Sequence, residues 1–243
     1  MASNSKTPLR GKVALITGAN RGIGLAISRA FAAEGCDIVI TGRNLKALAK
    51  ASGELAKHKT RVHAIVCDVR DPASVGELFS SIKKHFRRLD ILINNAGVAH
   101  RNLSVASLPP DTWKEVIETN LTGMFLVTQQ ALPLMRRGSA IVNNLSISAR
   151  RVFPGSSAYN ASKHGALGFT NTLREELRPR GIRVIALMPG AADTAIWNTF
   201  WPDAPRKKMM SPETVAAAVV DSLSLPAEST LEELTILPTA GTL

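Results

Sequence analysis

Two hydrophobic rhythms alternate along the chain. Short runs of consecutive apolar, often β-branched residues fall at 13–16, 38–41, 62–66, 91–93, 140–145, 184–187 and 234–237. Polar or glycine positions bound them, so they read as buried strands. Between them, apolar residues recur every three or four positions. That spacing predicts helices at 23–34, 46–57, 72–86, 110–135, 157–177 and 212–223. Strands that are apolar on both faces and separated by helices do not suit a half-solvated antiparallel sheet. They predict an α/β fold, a doubly wound parallel sheet with helices on both faces.

No linker, repeat or low-complexity stretch divides the chain, so residues 1–243 read as one domain. A chain of this length buries a core without disulfide staples. Cys36 and Cys67 lie in or beside apolar runs and are expected to be buried free thiols in a reducing compartment. No zinc-type ligand spacing is present, and no metal is expected. The long irregular segment is 191–211, with Trp197, Phe200, Trp201, Met209 and Met210. Loops of this length often cover a ligand, and this one is taken as the substrate loop. Residues 1–10 are polar and lack an apolar signal core, and no run approaches the roughly 20 residues that span a bilayer. The expectation is a cytoplasmic protein with no membrane partner.

The formal net charge of +11 raises the question of nucleic acid. The basic residues are scattered, however, and aromatic residues are only 5% of the chain, leaving few stacking platforms. A nucleic-acid partner is therefore not expected. A basic surface also attracts anionic cofactors or substrates.

The first strand runs into Thr17-Gly18-Ala19-Asn20-Arg21-Gly22-Ile23-Gly24, and a helix follows at once. Glycines let a backbone approach a pyrophosphate, and a helix N-terminus presents free N–H groups and positive dipole. The turn thus predicts a Rossmann-like dinucleotide site. The second strand ends Thr41-Gly42-Arg43, where a carboxylate would bind a free ribose 2′-hydroxyl. Arg43 and Arg21 offer guanidinium forks to a 2′-phosphate instead. The cofactor is read as NADP(H).

Tyr159 and Lys163 stand four apart on a predicted helix and share a face. Ser146 closes the fifth predicted strand. A carbonyl that receives hydride becomes an alkoxide and needs an acid. A phenol donates that proton, and a serine hydroxyl holds the oxygen. Lysine ammonium beside tyrosine favours phenolate, so the Tyr159 hydroxyl is expected to ionise below the ordinary tyrosine value.

Taken together, these motifs resemble the short-chain dehydrogenase/reductase family over nearly the whole chain. The resemblance places the family's glycine motif on Thr17 to Gly24, its adenine-side pair on Asp68 and Val69, and its Asn-Asn-Ala-Gly motif on Asn94, Asn95, Ala96 and Gly97. It implies a catalytic tetrad of Asn120, Ser146, Tyr159 and Lys163. Its Pro-Gly motif falls on Pro189 and Gly190, with Ala192 and Thr194 among the cofactor contacts. By the same resemblance, Asp68 accepts from the adenine amino group, Asn95 lines the ribose, Lys163 binds ribose, and Asn120 interrupts its helix and positions a water for a proton relay. Many relatives carry two serines where Leu145-Ser146 stands; Ser146 has the family spacing to Tyr159, with Ser148 as the alternative. A homodimer or homotetramer is implied, with helices around 111–135 and 157–177 at the interface.

The reading is an NADPH-dependent carbonyl reductase, reversible as an alcohol dehydrogenase, acting on a small carbonyl or hydroxyl substrate. The alternatives are a non-enzymatic NADP(H)-binding sensor or partner-binding protein, and a nucleic-acid binder. The substrate pocket is expected from residues 100–103, 149–153 and 191–211. His100, Arg150 and Arg151 are candidate substrate contacts, whereas His164 should point elsewhere on its helix.

Overall fold

Strand side chains alternate between faces, so a strand apolar at every position buries both. The first strand shows this directly. Ala14 and Ile16 pack on one side with Phe31, Leu48 and Val219, while Val13 and Leu15 pack on the other with Leu78, Ile82 and Leu173. The computed structural model describes residues 9–226 and 228–242. Residues 1–8, most of the polar start considered above, lie outside the described residues.

The first half runs β1 (Val13–Thr17), α1 (Gly22–Ala33), β2 (Asp37–Gly42), α2 (Leu45–Leu55), β3 (Val62–Val66), α3 (Pro72–His85) and β4 (Ile91–Asn94). It continues with α4 (Pro110–Ile117), α5 (Gly123–Ala131), β5 (Ala140–Asn144), α6 (Ser157–Leu177), β6 (Arg183–Pro189), α7 (Trp197–Phe200), α8 (Pro212–Leu223) and β7 (Glu233–Ile236). The strands form one sheet in the order β3-β2-β1-β4-β5-β6-β7. Every neighbouring pair is parallel. Helices α1, α2 and α8 cover one face, and α3, α5 and α6 cover the other. The doubly wound Rossmann-like fold is as the hydrophobic pattern predicts.

Strand order reverses between β1 and β4, so the connections leaving their C-terminal ends diverge and open a crevice. The candidate functional residues gather there. No described helix is long and apolar enough to cross a membrane.

One element departs from the apolar periodicity and agrees instead with the interruption that the resemblance implies at Asn120. The helix expected over 110–135 is broken by a π-helical turn at Glu118–Thr122. The cause is Asn120, whose side chain is fully buried. Its Oδ1 accepts from Val98 N at 2.8 Å, and its Nδ2 donates to Val98 O at 2.9 Å. Satisfying both bonds fixes the helix to the loop after β4. Just beyond, Gly123 lies so close to β3's exit that a Cβ would come within 2.7 Å of Val69 Cγ2.

Candidate active site

The crevice is a cleft of about 790 Å³. Gly18, Asn20, Arg21, Gly22 and Ile23 line one end, with Arg43 at the exit of β2. Gly18 and Gly22 have φ of +63° and +56°, the left-handed region that glycine enters without strain. A Cβ on Gly18 would also stand 2.9 Å from Ala96 Cα. Arg21 precedes α1 without a side-chain cap, so the first-turn N–H groups of α1 lack side-chain partners from that position. These donors and the dipole's positive end face the cleft, as a diphosphate requires. Gly24 does not line the cleft. It packs beneath the turn, where a Cβ would meet Asn95 Nδ2 at 2.3 Å and Gly18 O at 2.6 Å.

The turn is braced from β4. Thr17 Oγ1 accepts from the backbone N–H groups of Asn95 and Ala96, each at 2.9 Å. Asn95 Nδ2 donates to Thr17 O and Gly18 O, and its Oδ1 accepts from Asn144 Nδ2. Asn95 lines the cleft together with Ala96, Gly97 and Val69, yet its amide is committed to holding the glycine turn. Asn144 Oδ1 and Thr119 Oγ1 are buried without a hydrogen-bond partner, and both residues line the cleft. The unpartnered Asn144 oxygen suits a ligand hydroxyl or amide that donates, and the glycine cradle suits a phosphate.

At the other end stand Ser146, Tyr159 and Lys163. Tyr159 lies in the first turn of α6, with Lys163 one turn later and its Nζ 5.5 Å from the phenol ring centroid. Lys163 Nζ donates to Asn144 O at 3.0 Å. Ser146 begins the turn after β5, and its Oγ accepts from Ser148 N at 3.1 Å. Burial pushes the Tyr159 hydroxyl up to about 12, opposed by a side-chain hydrogen bond with Ser146. Burial lowers Lys163 to about 8. The sequence expectation was a depressed tyrosine. Desolvation outweighs the lysine, because both groups are deep in the cleft.

The remaining candidates divide. Pro189, Gly190, Ala192 and Thr194 line the cleft beyond β6. Asp68 does not: its carboxylate takes the Arg70 guanidinium as a fork, with Nη2 at 2.6 Å, and that hydrogen bonding holds it below the usual carboxylate range. Asn120 also lies behind the cleft wall, with Nδ2 donating further to Ser162 Oγ at 3.0 Å. Its amide ties the loop after β4 to α6.

His100 is buried, with Nδ1 against Arg101 O at 2.7 Å, and does not reach the cleft. Arg150 pairs with Glu233 of β7, and Arg151 is exposed. His164 lies on the exposed side of α6, against Asn160 O. Of the expected pocket segments, 100–103 contributes Asn102, 149–153 contributes Phe153, and 191–211 contributes residues only as far as Trp201.

That loop is partly ordered into α7. Trp197 Nε1 donates to Ala192 O at 2.9 Å, and the Phe200 ring lies 5.5 Å from Trp197 and 5.7 Å from Tyr159. Arg206 ties the loop together, donating to Asp193 Oδ1, Thr194 O and Asn198 Oδ1 at 2.6–2.8 Å.

Thr17, quoted from sequence only as the start of the glycine motif, and Asn144, not singled out, both have clear positioning roles. The available signal was polarity inside otherwise apolar strands, since buried polar residues are the informative exceptions. The adjacent Asn143 and Asn144 end β5, and Thr17 ends β1.

Comparison with known proteins places this geometry. A family model described as short chain dehydrogenase matches residues 12–205. An uncharacterized oxidoreductase of Bacillus subtilis (strain 168) is 36% identical over 214 residues, 87% of this chain and 83% of the relative. An alcohol dehydrogenase from the archaeon Thermococcus sibiricus, solved with 5-hydroxy-NADP, superposes with a TM-score of 0.88 at 30% identity, covering 94% of this chain and 97% of that one. A 3-ketoacyl-(acyl-carrier-protein) reductase from Brucella melitensis, solved with NADH, gives 0.86 at 30% identity, covering 95% and 98%.

Proposed function

The chain belongs to the short-chain dehydrogenase family, and from that premise we propose that this oxidoreductase is an NADPH-dependent carbonyl reductase, reversible as an alcohol dehydrogenase. One observation carries the reading. A single cleft holds the uncapped glycine turn at one end and Ser146, Tyr159 and Lys163 at the other.

Bound NADPH supplies the hydride. The glycine turn and α1 N-terminus would hold its diphosphate, and Arg21 and Arg43 would receive the 2′-phosphate. The 5-hydroxy-NADP complex of the Thermococcus enzyme supports a nicotinamide cofactor. The NADP preference rests on this chain's two arginines and on the lack of a carboxylate at 41–43.

As hydride reaches the substrate carbon, negative charge develops on its oxygen. Ser146 donates a hydrogen bond to that oxygen, and Tyr159 gives it a proton. A hydroxyl near 12 is fully protonated at neutral pH, which suits an acid. Lys163, still largely ammonium below about 8, stabilises the phenolate left behind. Asn144 O holds that ammonium in place. Asn120 serves by fixing the loop against α6. The reading extends to one domain over residues 1–243, acting as a cytoplasmic homodimer or homotetramer.

The test is consumption of NADPH and NADH across aldehydes and ketones, in wild type and Arg43→Asp. A charge-assisted hydrogen bond contributes about 1.5–3 kcal/mol, so the variant should lose roughly tenfold to a hundredfold in NADPH affinity. NADH affinity should fall far less. Equal losses for the two cofactors contradict the role of Arg43.

A further inference from the structure

The cleft is chemically uneven along its length. Among the described residues that line it, the charged side chains are Arg21, Arg43 and Lys163, with no carboxylate. Arg21 and Arg43 sit at the glycine-turn end. Lys163 is buried and already donates to Asn144 O.

Past Tyr159 the wall is Ile147, Phe153, Pro154, Trp197, Phe200 and Trp201. Cations close in sequence to this wall are engaged or turned away. Arg150 pairs with Glu233, Arg206 is spent on Asp193, Thr194 and Asn198, and Arg101 and Arg151 are exposed and do not line the cleft. The polar side chains here are those of Asn102, Ser146, Ser148, Ser156 and Thr199, and some of them are committed as well. Ser156 Oγ donates to Asn102 Oδ1, and Ser146 Oγ accepts from Ser148 N.

Resting on the carbonyl-reductase reading, we infer that the substrate is an uncharged carbonyl bearing an aromatic ring, held by the Trp197–Phe200–Trp201 wall beside Tyr159. The two ring contacts, 5.5 Å between Trp197 and Phe200 and 5.7 Å between Phe200 and Tyr159, give tilted and edge-on arrangements into which a third ring packs favourably. An anionic substrate would leave water for a wall with no counter-charge, which costs heavily. A polyhydroxylated carbonyl would bury hydroxyl groups with too few partners. The same wall disfavours sugars and anionic acyl groups, and it assigns Phe200 the role of selecting for a flat apolar group.

The experiment compares three probes with NADPH: acetophenone, its carboxylate analogue 4-acetylbenzoate, and dihydroxyacetone. The expected kcat/KM for acetophenone exceeds that of each of the others by at least about a hundredfold. Phe200→Lys places an ammonium on the wall and should narrow the gap between acetophenone and 4-acetylbenzoate by at least about tenfold. Trp201→Lys, at a half-exposed position, gives the same test should Phe200→Lys fail to fold.

Rates for 4-acetylbenzoate or dihydroxyacetone within threefold of acetophenone (an approximate margin,) overturn the inference. So does an acetophenone-to-4-acetylbenzoate ratio unmoved by the folded lysine variant. Turnover of other carbonyls with acetophenone inert overturns this inference while leaving the carbonyl-reductase reading standing. Binding of NADPH with no carbonyl turned over removes that reading and this inference with it.

Discussion

Tyr159 and Lys163 share one helix face, and burial acts on them in opposite senses. It favours the neutral phenol, up to about 12, and the neutral amine, down to about 8. The chain has 1 tyrosine, so ultraviolet difference spectra report Tyr159 alone. The midpoint should lie above 10 without cofactor and fall when NADP⁺ brings positive charge nearby. A midpoint below 10 in the ligand-free protein contradicts the burial argument.

Lys163 makes a second test. Its folded value is depressed from 10.5 to about 8, so between those values the unfolded chain binds more protons than the folded one. Stability therefore rises with pH across that window, by about 3 kcal/mol at most for this group. Urea unfolding of wild type and Lys163→Met, at pH 7 and pH 10, should show wild type gaining relative to the variant at the higher pH. A pH-independent difference contradicts it. At this scale the sequence displayed the reacting residue types and their spacing. Depth was not legible, because the rise at Tyr159 depends on how α6 sinks against β5, and Asn144 earns its role only once its carbonyl meets Lys163 Nζ.

Elements carry the next layer. The turn between β1 and α1 was legible because glycine at positive φ and a helix start are local properties. The break between α4 and α5 was legible as a break only through the family resemblance. Periodicity alone carried one helix from 110 to 135, since apolar spacing survives a single π-helical turn.

The loop after β6 was recognisable by its aromatic residues, but its fastening was not. Arg206 reaches back over a dozen residues to Asp193 and Thr194. Removing that fork should let α7 shift away from Tyr159. Arg206→Ala is expected to raise the carbonyl KM about tenfold, the loss of roughly one charged hydrogen bond, with a smaller change in NADPH affinity. Arg206→Lys should recover part of the loss. Steady-state kinetics on both variants decide it, and an unchanged carbonyl KM sinks the clamp.

Over the whole molecule, the sheet was legible because β1, β2, β4, β5 and β6 are largely apolar, buried on both faces and separated by helices, a pattern that a covered parallel sheet satisfies. Strand order and the resulting crevice follow from right-handed crossovers. They bring residues from Gly18 to Trp201 into one cleft. What sequence left open is which partner each polar side chain finds: Asp68 finds Arg70 two residues on, and Arg150 finds Glu233 across the chain.

The central claim is that this cleft passes hydride from NADPH to a carbonyl with Tyr159 as the acid. Its most direct test is label transfer. NADPH carrying deuterium at the reactive C4 position is incubated with a panel of ketones, and the product alcohols are analysed by mass spectrometry. The account predicts deuterium on the carbinol carbon with wild type. With Tyr159→Phe, the rate of label transfer should fall by about 10²-fold or more, the usual scale of a lost general acid, while NADPH still binds. Transfer by Tyr159→Phe at the wild-type rate, or bound NADPH that labels no alcohol with wild type, would contradict it.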